Sequence, residues 1–153
     1  MRSVALVLAT ALPLLAATLP VGLVAQDGEL GETIPYISLL AEFDRVLGDY
    51  EARWEAGDGD GLAELFTEDG FVLSNQRRPA RGRDAIRGRY DDPSGDLVLK
   101  ALAYREGGGV GYIVGPYAYG EAPDQGKFLL ALRQDQSGRW LIAADMGNAI
   151  ERR

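Results

Sequence analysis

Apolar side chains in the first half of the chain recur at the spacing of an α-helix. From Pro35 to Ala56 they return every three or four residues, which predicts one amphipathic helix over this range. A Gly-Asp turn at 57–58 ends this helix, and an apolar edge within 62–66 predicts a second, shorter one. Residues 83–90 are predicted to form a third helix. The apolar face of the first helix consists of Ile37, Leu40, Phe43, Val46, Leu47, Tyr50 and Trp54.

The second half of the chain alternates between apolar and polar residues, which is the spacing of β-strands. Glycine-rich hairpin turns are predicted at 107–109 and 135–138, and Gly115-Pro116 marks a bulge or bend. Because the helices precede most of the strands, the pattern predicts an α+β domain of about three helices packed on one curved antiparallel sheet. The predicted strands cover residues 70–76, 77–82, 97–106, 110–119, 127–134 and 140–148.

The N-terminus has the composition of an export signal. Residues 1–25 contain Arg2, a long apolar run and a small residue, Ala25, after which cleavage is predicted. This predicts a signal peptide at 1–25, a flexible leader at 26–34 and a domain at 35–150. The protein is therefore expected to be periplasmic or secreted, without stable membrane association after cleavage. The alternative is an uncleaved anchor, since the run approaches the ~20 residues of a membrane span.

Composition restricts the chemistry of this domain. The chain has no Cys and no His, which excludes disulfides, thiol nucleophiles and histidine bases. No cofactor and no metal site is predicted, because neither a phosphate-binding fingerprint nor a metal-spaced cluster occurs. The full chain has 16 basic and 23 acidic residues, a net charge of −7. So acidic a protein is not expected to bind nucleic acid.

Two phrases of the sequence carry a family resemblance. The first is Y-x-x-x-W-x-A-G-D at 50–58, and the second is G-R-W-L-I-x-x-D-M-G-N at 138–148. They resemble the SnoaL-like group of the nuclear transport factor 2-like superfamily, which includes the ketosteroid isomerases. The resemblance covers about residues 36–150 and implies a cone-shaped fold that encloses a pocket. That superfamily contains enzymes, ligand binders and assembly modules, so the fold alone does not select a function.

The resemblance also allows the isomerase chemistry to be tested by position. Ketosteroid isomerases use an oxyanion-donating Tyr, a carboxylate base and a protonated carboxylic acid. Counted from the Ala-Gly-Asp turn, Tyr50 falls on the Tyr position, Ser74 on the base position, and Leu129 or Leu130 on the acid position. The isomerase mechanism is therefore not expected, because Ser74 has no histidine to activate it.

Asp145 is the leading candidate for chemistry in the pocket. By the same count, Ala143, Asp145 and Gly147 face the cavity, and a carboxylate buried there is expected to have a raised pKa. The candidate catalytic residues are Asp145 and Tyr50. The alternative is that Asp145 forms a purely structural pair and Tyr50 belongs to the core. The candidate ligand-binding residues are Trp54, Ser74, Tyr112, Gly147 and Asn148.

Three functions are open at this point. The first is binding of a small, mostly apolar molecule, and the second is an enzyme with Asp145 as general acid/base, whether isomerase-, cyclase- or hydrolase-like. The third is a non-enzymatic assembly module, and a homodimer is expected from the resemblance. An arginine-rich segment, Arg77–Arg89, indicates either recognition of an anionic ligand or a solvated face that pairs with the chain's own acids.

Overall fold

Three helices and one mixed sheet make up the domain, which a computed structural model describes over residues 34–90 and 95–150. The predicted signal peptide at 1–25 and the leader up to residue 33 lie outside the described residues. The helices are α1 (Ala41–Glu55), α2 (Gly59–Glu64) and α3 (Arg83–Arg89). The strands are β1 (Phe66–Ser74), β2 (Ala80–Arg81), β3 (Leu97–Leu99), β4 (Ala103–Gly107), β5 (Val110–Tyr119), β6 (Gly126–Gln134) and β7 (Trp140–Ala149).

Helix α1 is shorter than predicted, because residues 34–40 are not helical. The backbone N–H of Ile37 donates to the carbonyl of Ala101 at 2.9 Å. The hydroxyl of Tyr36 donates to Asp124 at 2.8 Å, and Lys100 lies 4.9 Å from the centre of the Tyr36 ring. These tertiary contacts fix the segment against the sheet, and they outweigh a helical spacing that is only a weak preference.

The sheet has the strand order β2-β1-β7-β6-β5-β3, and β4 also pairs with β5. All the strand pairs are antiparallel except β1 with β7, which is parallel. The prediction of an antiparallel sheet is therefore wrong for one strand pair, β1 with β7. Residues 75–139 separate β1 from β7, so a long crossover connection is available, as a parallel pair requires.

The predicted strand 97–106 is divided into β3 and β4. The interruption at Lys100–Leu102 lies opposite Gly115, and a Cβ at Gly115 would lie 1.7 Å from the carbonyl oxygen of Lys100. Only glycine permits this close approach, so the predicted bend at Gly115-Pro116 coincides with the irregularity of its partner strand.

The core lies between the helices and one face of the sheet. Phe43, Leu62, Phe66, Ile86 and Ile142 have no exposed area. Burial of each such side chain contributes about 1.5–3 kcal/mol before the entropy of ordering is subtracted. None of the helices within the described ranges is long and apolar enough to cross a membrane.

A bulge in β7 decides which of its residues face the helices. Ala131 pairs with Ala144, but its neighbour Leu132 pairs with Ile142, so Ala143 has no partner across the ladder. One extra residue inverts the alternation of a strand. Ile142 and Asp145 therefore both face inward although they differ in parity. The prediction that Ala143 faces the cavity differs from the structure for this reason.

Candidate functional site

A cavity of about 510 Å³ lies between the helices and the inward face of the sheet. Its size is within the ordinary range of small-molecule sites. Its polar groups fall into two sets that differ in burial. Tyr50, Tyr90 and Asp145 form the inner end, whereas Ser74, Asn75, Arg77 and Arg89 lie toward solvent. The rest of the lining is largely apolar and aromatic: Trp54, Val72, Leu97, Leu99, Tyr117, Tyr119, Phe128 and Leu130.

The inner end is a triangle of three oxygen atoms. The Tyr50 hydroxyl lies 2.8 Å from the Tyr90 hydroxyl, and each hydroxyl lies 3.0 Å from Oδ2 of Asp145. Tyr50 and Tyr90 are only 5% and 7% exposed. Asp145 keeps some exposed surface, which faces the cavity. The group that a ligand meets first at this end is therefore a carboxyl held by two buried phenols.

The number of hydrogens available to the three oxygen atoms explains why protonation of Asp145 completes the hydrogen bonding of this triangle. Two phenols carry two protons, so an ionised Asp145 leaves one of the three short contacts without a hydrogen. A protonated Asp145 supplies the third. Burial raises the pKa of Asp145, and the hydrogen bonds from Tyr50 and Tyr90 oppose that rise without cancelling it. At this site a neutral carboxylic acid, able to donate a hydrogen bond, exists at higher pH than in a free aspartate.

The two phenols remain protonated. Burial raises the pKa of Tyr50 and of Tyr90 well above the usual range, and the charge of Asp145 raises both further. Both hydroxyls are therefore hydrogen-bond donors at neutral pH. The inner end presents two phenolic donors and one titratable carboxyl group to whatever occupies the cavity.

Aromatic packing holds the triangle in place. Trp54 lies one helical turn after Tyr50, with their rings 6.3 Å apart and nearly parallel. Tyr90, at the C-terminus of α3, meets both rings edge-on, at 6.2 Å from Tyr50 and 5.9 Å from Trp54. Such pairs add about 0.5–1.5 kcal/mol each to area burial. The rings that line the cavity therefore also fix the positions of the hydroxyls.

Tyr90 is the site residue that sequence reasoning missed. The sequence places Tyr90 only at the end of the predicted third helix. Ile86, four residues earlier, is fully buried in the core. The signal available for Tyr90 was its hydroxyl, because a buried tyrosine requires a hydrogen-bond partner and no motif names one.

Five of the seven predicted site residues line the cavity: Tyr50, Trp54, Ser74, Asp145 and Gly147. The structure brings Tyr50 and Asp145 into direct contact. Tyr112 and Asn148 do not line the cavity, so the structure does not bring them together with the other five. Tyr112 alternates with the inward-facing Ile113, and Asn148 with Gly147, so both belong to the outer face of the sheet.

Gly147 leaves open space where a larger side chain would stand. A Cβ at this position would have only the carbonyl oxygen of Lys127 within 4 Å, at 3.9 Å. Ser74 and Phe128 flank Gly147 on the neighbouring strands. Because Gly147 has no side chain, the cavity is wider between Ser74 and Phe128. The backbone conformation at Gly147 does not itself require glycine.

Tyr117 and Tyr119 form the wall on β5, with their rings 6.1 Å apart. Gly126 lies directly beneath the Tyr117 ring, where a Cβ would come within 2.1 Å of ring atoms. Burial raises the pKa of Tyr117, and the charge of Asp145 raises it further. The pKa of the Tyr117 hydroxyl therefore depends on the charge of Asp145, the carboxylate of the triangle.

The arginine-rich segment does not act as one surface. Arg83 donates to the carbonyl of Phe66 at 3.0 and 2.8 Å, and Arg87 pairs with Asp60 and, at 2.7 Å, with Asp84. Arg81 covers the ring of Phe71 at 5.3 Å. Only Arg77 and Arg89 of this segment line the cavity.

The described residues contain no group of three or more acidic side chains arranged to hold a metal ion. Asp145 is the sole carboxylate that lines the cavity within residues 34–90 and 95–150. The carboxyl group of Asp145 and the hydroxyls of Tyr50 and Tyr90 can transfer protons and form hydrogen bonds.

The domain has the nuclear transport factor 2-like fold, as solved structures of similar architecture show. A ketosteroid isomerase-like protein from Erwinia carotovora superposes with a TM-score of 0.62 at 17% identity, covering 74% of this chain and 97% of that one. A protein of unknown function from Shewanella oneidensis, described as NTF-2 like, gives 0.59 at 21% identity, with 69% and 95% covered. A putative calcium/calmodulin dependent protein kinase II association domain from Xanthomonas campestris gives 0.64 at 16%, with 77% and 96% covered.

These identities are low and carry the fold alone. No protein-family model matches the chain, and no curated protein matches it. The finer resemblance to the SnoaL-like group therefore stays a prediction. Function has to be argued from the cavity itself.

Proposed function

We propose that this domain binds a small, mostly apolar molecule in the cavity and holds one oxygen atom of that molecule against Asp145, Tyr50 and Tyr90. The observation that carries the proposal is the pairing of an apolar cavity with a buried cluster of three hydrogen-bonding groups. Binding sites for small molecules combine apolar walls with a few well-placed polar groups in this way.

The triangle defines the kind of oxygen that it accepts. Ionised Asp145 accepts a hydrogen bond from a ligand hydroxyl. Protonated Asp145 can instead turn its O–H from the third contact of the triangle to a ligand carbonyl, while Tyr50 and Tyr90 keep their hydrogen bonds within the triangle. The preferred ligands are thus apolar ketones, phenols and alcohols. Protonated Asp145 favours ligands that accept a hydrogen bond, and ionised Asp145 favours ligands that donate one.

The test uses 2-naphthol, a bicyclic phenol whose fluorescence reports its environment, and two substitutions at Gly147. Gly147→Trp fills the cavity, whereas the matched control Gly147→Ala adds one methyl group to open space. We expect the native protein and Gly147→Ala to bind alike and Gly147→Trp to lose about tenfold or more in affinity, since buried ring area is displaced. Equal binding by a folded Gly147→Trp variant would contradict the proposal.

An enzyme with Asp145 as general acid/base is the second candidate. The raised pKa of Asp145 in a cavity favours it, because proton transfer works best when the pKa approaches the working pH. Ser74 stands at the position of the isomerase base, so Asp145 alone would have to carry the proton. The activity would be isomerase-, cyclase- or hydrolase-like. Full turnover by an Asp145→Asn variant on any discovered substrate would exclude it.

Homodimer formation through the outer face of the sheet is the third candidate, and it is compatible with either of the others. Leu129 and Met146 lie opposite each other on that face and are 40% and 46% exposed. Phe71 and Tyr112 extend the same apolar surface across the sheet. We expect a dimer in light scattering that Leu129→Glu converts to monomer while the cavity still binds 2-naphthol. A native monomer at micromolar concentration would contradict it.

A further inference from the structure

We infer that Arg77 and Arg89 form an anion site at the cavity, and that the ligand carries a carboxylate in addition to the oxygen held by Asp145. This inference rests on the proposed function and deepens it by naming the ligand class, an apolar monocarboxylate with a second oxygen. It assigns a role to Arg77 and Arg89, the two residues of the arginine-rich segment that line the cavity.

The first observation is the division of the segment. Arg81, Arg83 and Arg87 already have partners outside the cavity: an aromatic ring, a backbone carbonyl and two aspartates, respectively. Arg77 and Arg89 line the cavity, and neither forms an ion pair with any described carboxylate. In a chain of net charge −7, two cavity-lining arginines without an acidic partner among the described residues favour binding of an external anion.

The second observation is the hydrogen bonding of Arg89. Its Nη2 donates to the carbonyl of Arg78 at 2.6 Å, which fixes the guanidinium between the end of α3 and the turn after β1. Its Nη1 is shielded from solvent and has no acceptor among the described residues. A buried donor without an acceptor is costly, most of all on a charged group, so native structures rarely keep one. Burial of this nitrogen leaves the charge of Arg89 without a compensating group among the described residues, and a ligand carboxylate in the cavity supplies that compensation.

The third observation is the balance of charge along the cavity. Ser74 and Asn75 add neutral polar groups beside Arg77, and Asp145 is the one carboxylate lining the cavity within the described ranges. With Asp145 ionised, the described residues of the lining have one net positive charge, which matches a monoanion.

The experiment compares two probes of nearly equal size, 6-hydroxy-2-naphthoate and its methyl ester, by calorimetry on the full mature protein. The hydroxyl of each serves the inner triangle, and only the first also carries a charge. We expect the carboxylate to bind about tenfold more tightly or better, the range of a charge-assisted hydrogen bond. Added salt should reduce this preference without removing the binding of the ester.

Two variants and one control locate the preference. Arg77→Gln removes an exposed charge, and Arg89→Lys keeps its charge but loses the planar fork that binds a carboxylate bidentately. Each should bring the carboxylate-to-ester ratio down several-fold, and the two together to within about twofold of unity. Arg139→Gln removes the same charge from the turn between β6 and β7, outside the cavity lining, and should leave the ratio unchanged.

The outcomes separate this inference from the proposed function. Equal affinity for acid and ester in the native protein overturns the anion site and leaves the binding proposal standing. A preference that survives in the folded Arg77→Gln, Arg89→Lys double variant also overturns it. Binding of neither probe contradicts both proposals together.

Discussion

Replacement of Asp145 by Asn should change how the stability of the domain depends on pH. Asn has nearly the same shape as Asp and can still accept one hydrogen bond and donate another within the triangle. It has no titrating group. The difference in unfolding free energy between the native protein and Asp145→Asn therefore isolates the titration of Asp145 from that of every other acid.

The sign follows from the raised pKa of Asp145 in the folded state. Between its value in the unfolded chain, about 3.9, and the higher folded value, the folded protein binds more protons than the unfolded one. Rising pH therefore removes stability from the native protein across this window. Relative to Asp145→Asn, the native protein should lose up to about 1.4 kcal/mol per pH unit within the window, and nothing further above the folded pKa. Solvent that enters the cavity reduces the slope below this limit.

The assay is urea unfolding of both proteins from about pH 3 to pH 8, where the difference curve should fall and then level off. Tyr90→Phe is the companion variant. The hydrogen bond from Tyr90 lowers the pKa of Asp145, so its removal should raise that pKa further and extend the window to higher pH. A difference curve that is flat, or that rises with pH, would refute the reasoning about the triangle.

Two further predictions concern the walls of the cavity and the core. Gly126→Ala should displace the Tyr117 ring and destabilise the domain by about 1–3 kcal/mol, as overpacking does. It should also weaken the binding of 2-naphthol in a fluorescence titration. An unchanged affinity would show that the Tyr117 wall does not contact the ligand. Phe43→Ala should cost about 3–5 kcal/mol in urea unfolding, because Phe43 is fully buried and packs 5.0 Å from Trp140, while Tyr112→Ala on the outer face should cost far less.

Much of the fold could be predicted from the sequence, because local patterns of residues determine the helices and the hairpin turns. The apolar face around Phe43 and Leu47 predicts α1, and glycine turns predict both hairpins. The start of α1 and the parallel pairing of β1 with β7 were not predictable, since contacts such as that of Ile37 with Ala101 join residues far apart in the chain.

The candidate site was predictable only in part, for the same reason. Tyr50 and Asp145 were found from a resemblance and from strand alternation. The inward position of Asp145, however, depends on a bulge at Ala143 that no local signal announces. Tyr90 comes from a third element and joins the triangle only through packing. The arginines look equivalent in the sequence, and only the fold separates the two that line the cavity from the rest.

The most direct test of ligand binding at the triangle is a carbon-13 NMR titration of the Asp145 carboxyl group with 2-naphthol, with Asp145→Asn used to assign the signal. The signal should shift saturably with ligand, and its pH midpoint should move once the ligand is bound. Binding of 2-naphthol that leaves the Asp145 signal and its midpoint unchanged would contradict the claim that the triangle is where this protein holds its ligand.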